Sequence, residues 1–224
     1  MRILSYNIHG CIGLDRREDP DRILDVIRQA DADIVGLQEV HSEDALDEDF
    51  LQKLENLPYH SVLYGKTMRK PTADYGNVLL LRKEPERIER VELPSERGEP
   101  RGAIVADTTF NETALRVIVT HLDINIFGRK KQIAALLQHL PTDGNCVLLG
   151  DLNEWFPAWP YFRNFAKRFT HISRLRTFPV APSLFALDRI AISGAARLAH
   201  FETIQTATAR RASDHKPLLC DLTF

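Results

Sequence analysis

Two stretches of the chain repeat one pattern. A short apolar run ends in polar residues, an amphipathic stretch follows, and a second apolar run ends in an acid. The first copy spans Ile3 to Glu39 and the second Leu115 to Asp151. The interval from Asn7 to Glu39 nearly equals that from His121 to Asp151. When the amphipathic stretch is a helical crossover, its flanking strands are parallel and both polar ends fall on one edge of a sheet. Two such units, packed sheet against sheet, converge on one polar site.

The remaining elements fit an α/β chain rich in short strands. Strands are predicted at Ile3–Ile8, Ile34–Gln38, Ser61–Tyr64, Asn77–Leu81, Ile88–Glu92 and Ile104–Thr108. Others are predicted at Leu115–His121, Cys146–Gly150, Arg189–Ile192, Phe201–Thr206 and Pro217–Leu222. They are rich in Val, Ile and Leu and bounded by turn residues. Near-continuous apolar runs such as Val78–Leu81 and Val147–Leu149 suit strands covered on both faces. One helix begins at the Asp19 cap with Pro20 at its first position, and Ile23, Val26, Ile27 and Ala30 form its apolar face. A second starts near Arg129, with Ile133, Leu136, Leu137 and Leu140 on one face and Pro141 after it. Further helices are predicted over Ala158–Arg168 and Asp47–Asn56, and Gly65–Gly76 reads as a polar loop.

Composition narrows the function classes. An apolar fraction of 44% supports a core and excludes disorder as the dominant state. No stretch approaches the roughly 20 apolar residues of a transmembrane helix. A net charge of −2 argues against a globally basic nucleic-acid binder and leaves only local basic patches. Three dispersed cysteines, Cys11, Cys146 and Cys220, form no disulfide framework. Cys146 and Cys220 lie in apolar runs and read as core, Cys11 as a small residue in a turn. Met1 leads straight into a strand without the apolar core of a signal peptide. The expectation is one cytoplasmic domain over residues 1–224, with no protein partner implied.

Six strand ends carry polar side chains. They are Asn7 with His9, Glu39, His121 with Asp123, Asp151 with Asn153, Asp188, and Asp214 with His215. In an extended chain, residues two apart share a face, which pairs Asn7 with His9, His121 with Asp123 and Asp151 with Asn153. Taken singly, each is an ordinary turn or cap. Their joint appearance at successive strand ends points to a site. Several carboxylates beside apolar strands repel one another and resist burial, and a divalent cation offsets both costs. Oxygen ligands with an Asn suit Mg²⁺ or Mn²⁺, and the paired thiolates or HExxH of a zinc site are missing. His215 needs an orienting carboxylate. Its neighbour Asp214 points elsewhere in an extended segment, so Asp188 is the better partner.

In this order, these residues resemble the endonuclease/exonuclease/phosphatase superfamily, whose fold is that of pancreatic deoxyribonuclease. Gly150-Asp151-Leu152-Asn153 and Ser213-Asp214-His215-Lys216-Pro217 are the most specific pieces. Ser5-Tyr6-Asn7, Leu37-Gln38-Glu39, Thr120-His121-Leu122 and Leu187-Asp188-Arg189 fill the slots between them. Tyr75-Gly76-Asn77 and Glu99-Pro100-Arg101 are weaker family features. The resemblance spans nearly the whole chain. It implies a four-layer α/β sandwich with two central mixed β-sheets flanked by helices, and metal-dependent hydrolysis of phosphate esters. It further implies Glu39 as principal metal ligand, with Asn7 and Asp214 near the metal. Asp151 would bind metal or activate water, and Asn153 would bind a phosphate oxygen. His215 with Asp188 would form a dyad, with His121 on the opposite side of the phosphate.

The substrate is less legible. Arg129-Lys130-Lys131, Lys66 with Arg69 and Lys70, and Arg210-Arg211 are local basic clusters. Arg129 and Asn77 are the candidate substrate-binding residues. Trp155, Phe156, Trp159, Tyr161 and Phe162 either pack the third helix or contact a base or lipid. The run Asp151–Trp155 with Thr177-Phe178-Pro179 resembles small bacterial members of undefined substrate. The expected activity is a phosphodiesterase, with a nuclease first and a phospholipid or small-molecule diesterase as the alternative. A non-catalytic binding module on the same fold is the rival from another class.

Overall fold

Both repeated units fold as parallel strand pairs joined by a crossover. In the computed structural model, which describes residues 1–42, 50–69, 73–95 and 98–224, strand β1 (Arg2–Asn7) pairs in parallel with β2 (Ile34–Ser42) through helix α1 (Pro20–Ala30). Helix α2 (Phe50–Glu55), β3 (Ser61–Arg69), β4 (Asp74–Leu81), β5 (Arg87–Leu93) and β6 (Arg101–Phe110) follow. The second parallel pair is β7 (Thr113–His121) with β8 (Asn145–Asp151), joined through α3 (Ile126–Leu136). Helix α4 (Pro160–Ala166), β9 (His171–Ile172), β10 (Asp188–Ser193), β11 (Arg197–Thr203), α5 (Ala209–Ala212) and β12 (Leu218–Thr223) complete the described elements.

The strands form two six-stranded sheets, ordered β11-β12-β1-β2-β4-β3 and β5-β6-β7-β8-β10-β9. The central apolar layer lies between them, with Ile3, Leu79 and Cys220 meeting Val119, Leu149 and Ile190. A second layer, including Ile23, Ile27 and Val35, joins the first sheet to α1. A third, including Ile118, Ile133 and Phe165, joins the second sheet to α3 and α4. The fold is thus the expected α/β sandwich of two mixed sheets. Gly36 sets the sheets' separation locally, because a Cβ there would stand 2.6 Å from Leu149 Cδ1. All three cysteines are buried and free.

Sequence patterning located the strands but misjudged some boundaries. Gly65–Arg69 and Asp74–Gly76 are not a loop but the paired ends of the β3–β4 hairpin. Lys70 and the start of the Asp47–Asn56 helix lie outside the described residues. Helix α3 begins one turn earlier than its apolar spacing indicates, capped by Asn125, whose side chain accepts from Phe127 N. Its first buried turn carries polar Arg129 and Gln132. No helix among the described residues is long and apolar enough to cross a membrane.

Candidate active site

The register of the second sheet builds one wall. His121 on β7 lies opposite Asp151 on β8, and Asp151 lies opposite Asp188 on β10. Three chemistry-bearing residues therefore stand side by side at one sheet edge. Gly150 makes the approach possible. Its φ is +147°, and a Cβ there would fall 1.8 Å from Thr120 O. Just past β8, Asn153 adopts a left-handed φ of 49°, a conformation Asn tolerates better than most residues. Its backbone N–H donates to Asp151 Oδ1 at 2.9 Å and its Nδ2 to Leu122 O at 3.0 Å. That places Nδ2 3.1 Å from His121 Nε2.

The first sheet supplies the facing wall. The β2–β4 register shifts between Leu37 and Val40, and within that irregularity Glu39 has a φ of 59°. For a residue other than Gly or Asn, this conformation costs about 1–3 kcal/mol. Such bulges re-aim a side chain next to functional sites. Glu39 Oε1 accepts from Asn7 Nδ2 at 3.0 Å, and the same nitrogen lies 3.1 Å from Asp151 Oδ2. Asn7 thus bridges carboxylates from the two sheets.

The segment before β12 closes the site. Ser213 Oγ donates to Asn7 O at 2.8 Å and accepts from His215 N at 3.2 Å. His215 Nδ1 stands 2.8 Å from Asp188 Oδ2, while Nε2 faces Asp151 Oδ2 at 3.8 Å. Asp188 is fully buried and receives nothing at Oδ1 among the described residues. Phe178 packs on the His215 ring at 4.7 Å, and Trp155 packs against Phe178 and Phe185. Asp214 is half-buried, with Oδ1 3.7 Å from His9 Nδ1 and 3.4 Å from Ser213 Oγ.

The electrostatics separate the two histidines. Burial pushes His215 down, but Asp188, then Asp151 and Asp214, outweigh it and raise the imidazole to about 10. Burial pushes His121 well below its ordinary value, and the charges of Arg101 and His215 act in the same direction. Burial, then the Asp188 charge, raises Asp151 to about 6, opposed by His215 and the N–H groups of Asn153 and Asn7. One imidazole is thus held as a cation and the other neutral, on opposite sides of a buried carboxylate.

The donor set fits a hard divalent cation. Glu39 and Asp151 converge on a single Asn7 nitrogen, a polar hydrogen donor standing between two carboxylates. Asp151, Asp188 and His215 also bring one ligand atom each within 4.8 Å. Asp188 and His215 already engage one another, and Glu39 Oε1 and Asp151 Oδ2 are the oxygens that flank the Asn7 nitrogen, a hard donor pair of the kind divalent cations take. Asn7 Oδ1 accepts from His9 N at 3.1 Å. Ligation by that oxygen requires the amide to turn over.

Two expected substrate contacts lie elsewhere. Arg129 is buried, with Nη1 donating to Asp123 O and Ile124 O and Nε facing Glu154 Oε2 and the Tyr161 hydroxyl. It fastens the loop after His121 to the loop after Asn153 and presents no cation to a substrate. Asn77 is also buried, its Nδ2 donating to Gly102 O, which Thr120 Oγ1 shares. It ties the sheets together beneath the site. Lys66 pairs with Asp74, and Arg211 with Asp15. Lys130 and Lys131 are exposed.

Arg101 was visible in sequence only as part of a weak family feature. It is buried, with Nη2 3.2 Å from Glu99 and Nη1 3.2 Å from His121 Nδ1. No periodicity marks it, because it opens a strand and its partner His121 is remote in sequence.

Comparison with known proteins identifies the family and the fold. A model of the Endonuclease/Exonuclease/phosphatase family matches residues 4–215. The chain is 30% identical to the uncharacterized protein YbhP of Escherichia coli (strain K12), over 99% of this chain and 95% of that one. It is 26% identical to exodeoxyribonuclease III of Haemophilus influenzae, over 68% of this chain and 57% of that enzyme. Among solved structures, an endonuclease/exonuclease/phosphatase from Beutenbergia cavernae superposes with a TM-score of 0.82 at 23% identity, covering 99% of this chain and 71% of that one.

Proposed function

Because the chain belongs to the endonuclease/exonuclease/phosphatase family, we propose that it is a divalent-metal-dependent phosphoesterase, and within that class a phosphodiesterase that uses an activated water. The observation that carries this reading is the meeting of His215, Asp188, Asp151, Asn7 and Glu39 between the two sheets. A Mg²⁺ or Mn²⁺ ion held by Glu39, with Asp151, Asp214 and Asn7 near it, would supply positive charge for the phosphoryl oxygens. His215, oriented by Asp188, presents Nε2 toward the same space and donates to a phosphate oxygen. Asn153 and neutral His121 add donors from the opposite side, where negative charge develops during attack on phosphorus. Asp151, held by two N–H donors, is the group placed to take the proton of the attacking water.

A nuclease is the leading substrate class. The exodeoxyribonuclease III relative supports it, and exposed Lys130 on α3, the helix that follows His121, offers a phosphate contact. One observation favours a second reading, a phospholipid diesterase. Phe127 is 77% exposed, Ile124 65%, Phe156 64% and Trp159 46%, Ile124 and Phe127 in the loop and first turn of α3 after His121, Phe156 and Trp159 in the loop after Asn153. The test is nicking of supercoiled plasmid with Mg²⁺ or Mn²⁺ by the wild type and by His215→Ala. Nicking lost in the variant supports the nuclease. Failure to nick, by protein that hydrolyses bis(p-nitrophenyl) phosphate, moves the assignment to the lipid or small-molecule diester.

A further inference from the structure

A cleft of about 890 Å³, separate from the site, is lined by α4, β9 and Arg189 of the second sheet's side and by Leu198 and Phe201 of β11 in the first sheet. Strand alternation explains why it is separate. Ile190 and Ile192 point between the sheets, as Asp188 does, whereas Arg189 and Ala191 point outward beneath α4. Among the described residues four cations line the cleft, Arg163, Lys167, Arg174 and Arg189, and no carboxylate does. Apolar walls come from Phe169, Ile172, Leu198 and Phe201.

Arg189 is the unusual member. It is 3% exposed, yet no carboxylate among the described residues lies within ion-pair distance of it. Nη1 donates to Ser173 O at 2.8 Å, and the guanidinium carbon lies 5.8 Å from the Phe162 ring centre. Nε is buried without a partner. Asp188, then Glu154, attract it through space, but Asp188 is engaged by His215 and Glu154 by Arg129 and Tyr161. A buried cation left unpaired is costly, and a docked anion removes that cost. Burial even lowers the guanidinium to about 10. The other three cations are exposed, which places them at the mouth above the Arg189 floor.

We propose that this cleft binds an amphiphilic anion, with its phosphate or carboxylate head on Arg189 and its apolar body along Phe169, Ile172, Leu198 and Phe201. The volume is that of a small-molecule site. The head bonds to a planar guanidinium whose Nε lacks a partner, supported from the rim by Lys167 and Arg174.

The test is calorimetric titration in EDTA with dodecyl phosphate below its micellar range, with inorganic phosphate and dodecyl maltoside as controls. Binding to the wild type is expected, with no change in His215→Ala and a dissociation constant raised about tenfold or more in Arg189→Met. The Lys167→Ala/Arg174→Ala variant alters only exposed side chains and is expected to weaken binding several-fold; it serves as the test if Arg189→Met does not fold. Equal binding of either control overturns the proposal, as does unchanged binding in the cleft variants. Loss of binding in His215→Ala would place the ligand in the catalytic site instead, which also overturns it. Thermal melting gives an independent readout. Dodecyl phosphate should raise the melting temperature of the wild type but not of Arg189→Met.

Discussion

Replacing Asp188 by Asn removes one charge and keeps the shape of a fully buried side chain. Asp188 Oδ2 stands 2.8 Å from His215 Nδ1, and its charge offsets the burial that would otherwise neutralise the imidazole. With charge centres about 4 Å apart and an effective dielectric of about 20, the interaction is about 4 kcal/mol. If the cationic imidazole stabilises the transition state, that energy corresponds to about a 10³-fold fall in kcat/KM. Asp188 acts through His215, so the loss is not independent of that residue. The assay is kcat/KM on bis(p-nitrophenyl) phosphate at saturating Mn²⁺ for Asp188→Asn, His215→Ala and the double variant, with thermal melts to confirm folding. The double variant should be about as slow as His215→Ala alone. A folded Asp188→Asn that loses less than tenfold, or a double variant whose loss is the product of the single losses, refutes the dyad.

Three further outcomes follow from the same geometry. Glu39→Gln should weaken Mn²⁺ binding by calorimetry and lower the rate in a way that added Mn²⁺ partly restores; an unchanged metal dependence removes Glu39 from the ligand set. Gly150→Ala should lose about 4 kcal/mol or more in urea unfolding or fail to fold, because its Cβ meets Thr120 O at 1.8 Å with φ at +147°; a near-neutral variant contradicts the close approach of β7 and β8. Arg116 holds the Asp107 carboxyl below its usual range, with Nε–Oδ1 at 2.7 Å and Nη2–Oδ2 at 2.8 Å. A depressed carboxyl stabilises the fold above its unfolded value and loses that contribution as pH falls through its folded value. The stability gap between wild type and Asp107→Asn should therefore be about 1 kcal/mol at neutral pH and close toward strongly acid pH; a gap that widens in acid reverses the sign of the argument.

The parallel units were legible because their periodicities are strong, from Asp19 capping α1 to the apolar runs of β7 and β8. The ends of β3 and β4 were not, since Lys66, Arg69 and Asp74 look like turn chemistry and are held instead by cross-strand pairing. The two-residue β9 gives no periodic signal at all. At the site, residue types pointed to His215, Asp188, Asp151, Asn153, His121, Asn7, Glu39 and Asp214. The bulge that turns Glu39 could not be read, because a left-handed glutamate has no local signature. Arg129 misled for a physical reason: it heads a basic run, and nothing local reveals that Glu154 will bury it. Asn77 misled similarly, its partner Gly102 lying on the other sheet.

Metal-dependent phosphodiester hydrolysis centred on His215 is measured with bis(p-nitrophenyl) phosphate in EDTA, then with Mg²⁺ or Mn²⁺ restored, in wild type and His215→Ala. Turnover should be abolished by EDTA, restored by added Mg²⁺ or Mn²⁺, and missing from the folded variant. Turnover that survives EDTA, or that His215→Ala retains at the wild-type rate, contradicts that assignment.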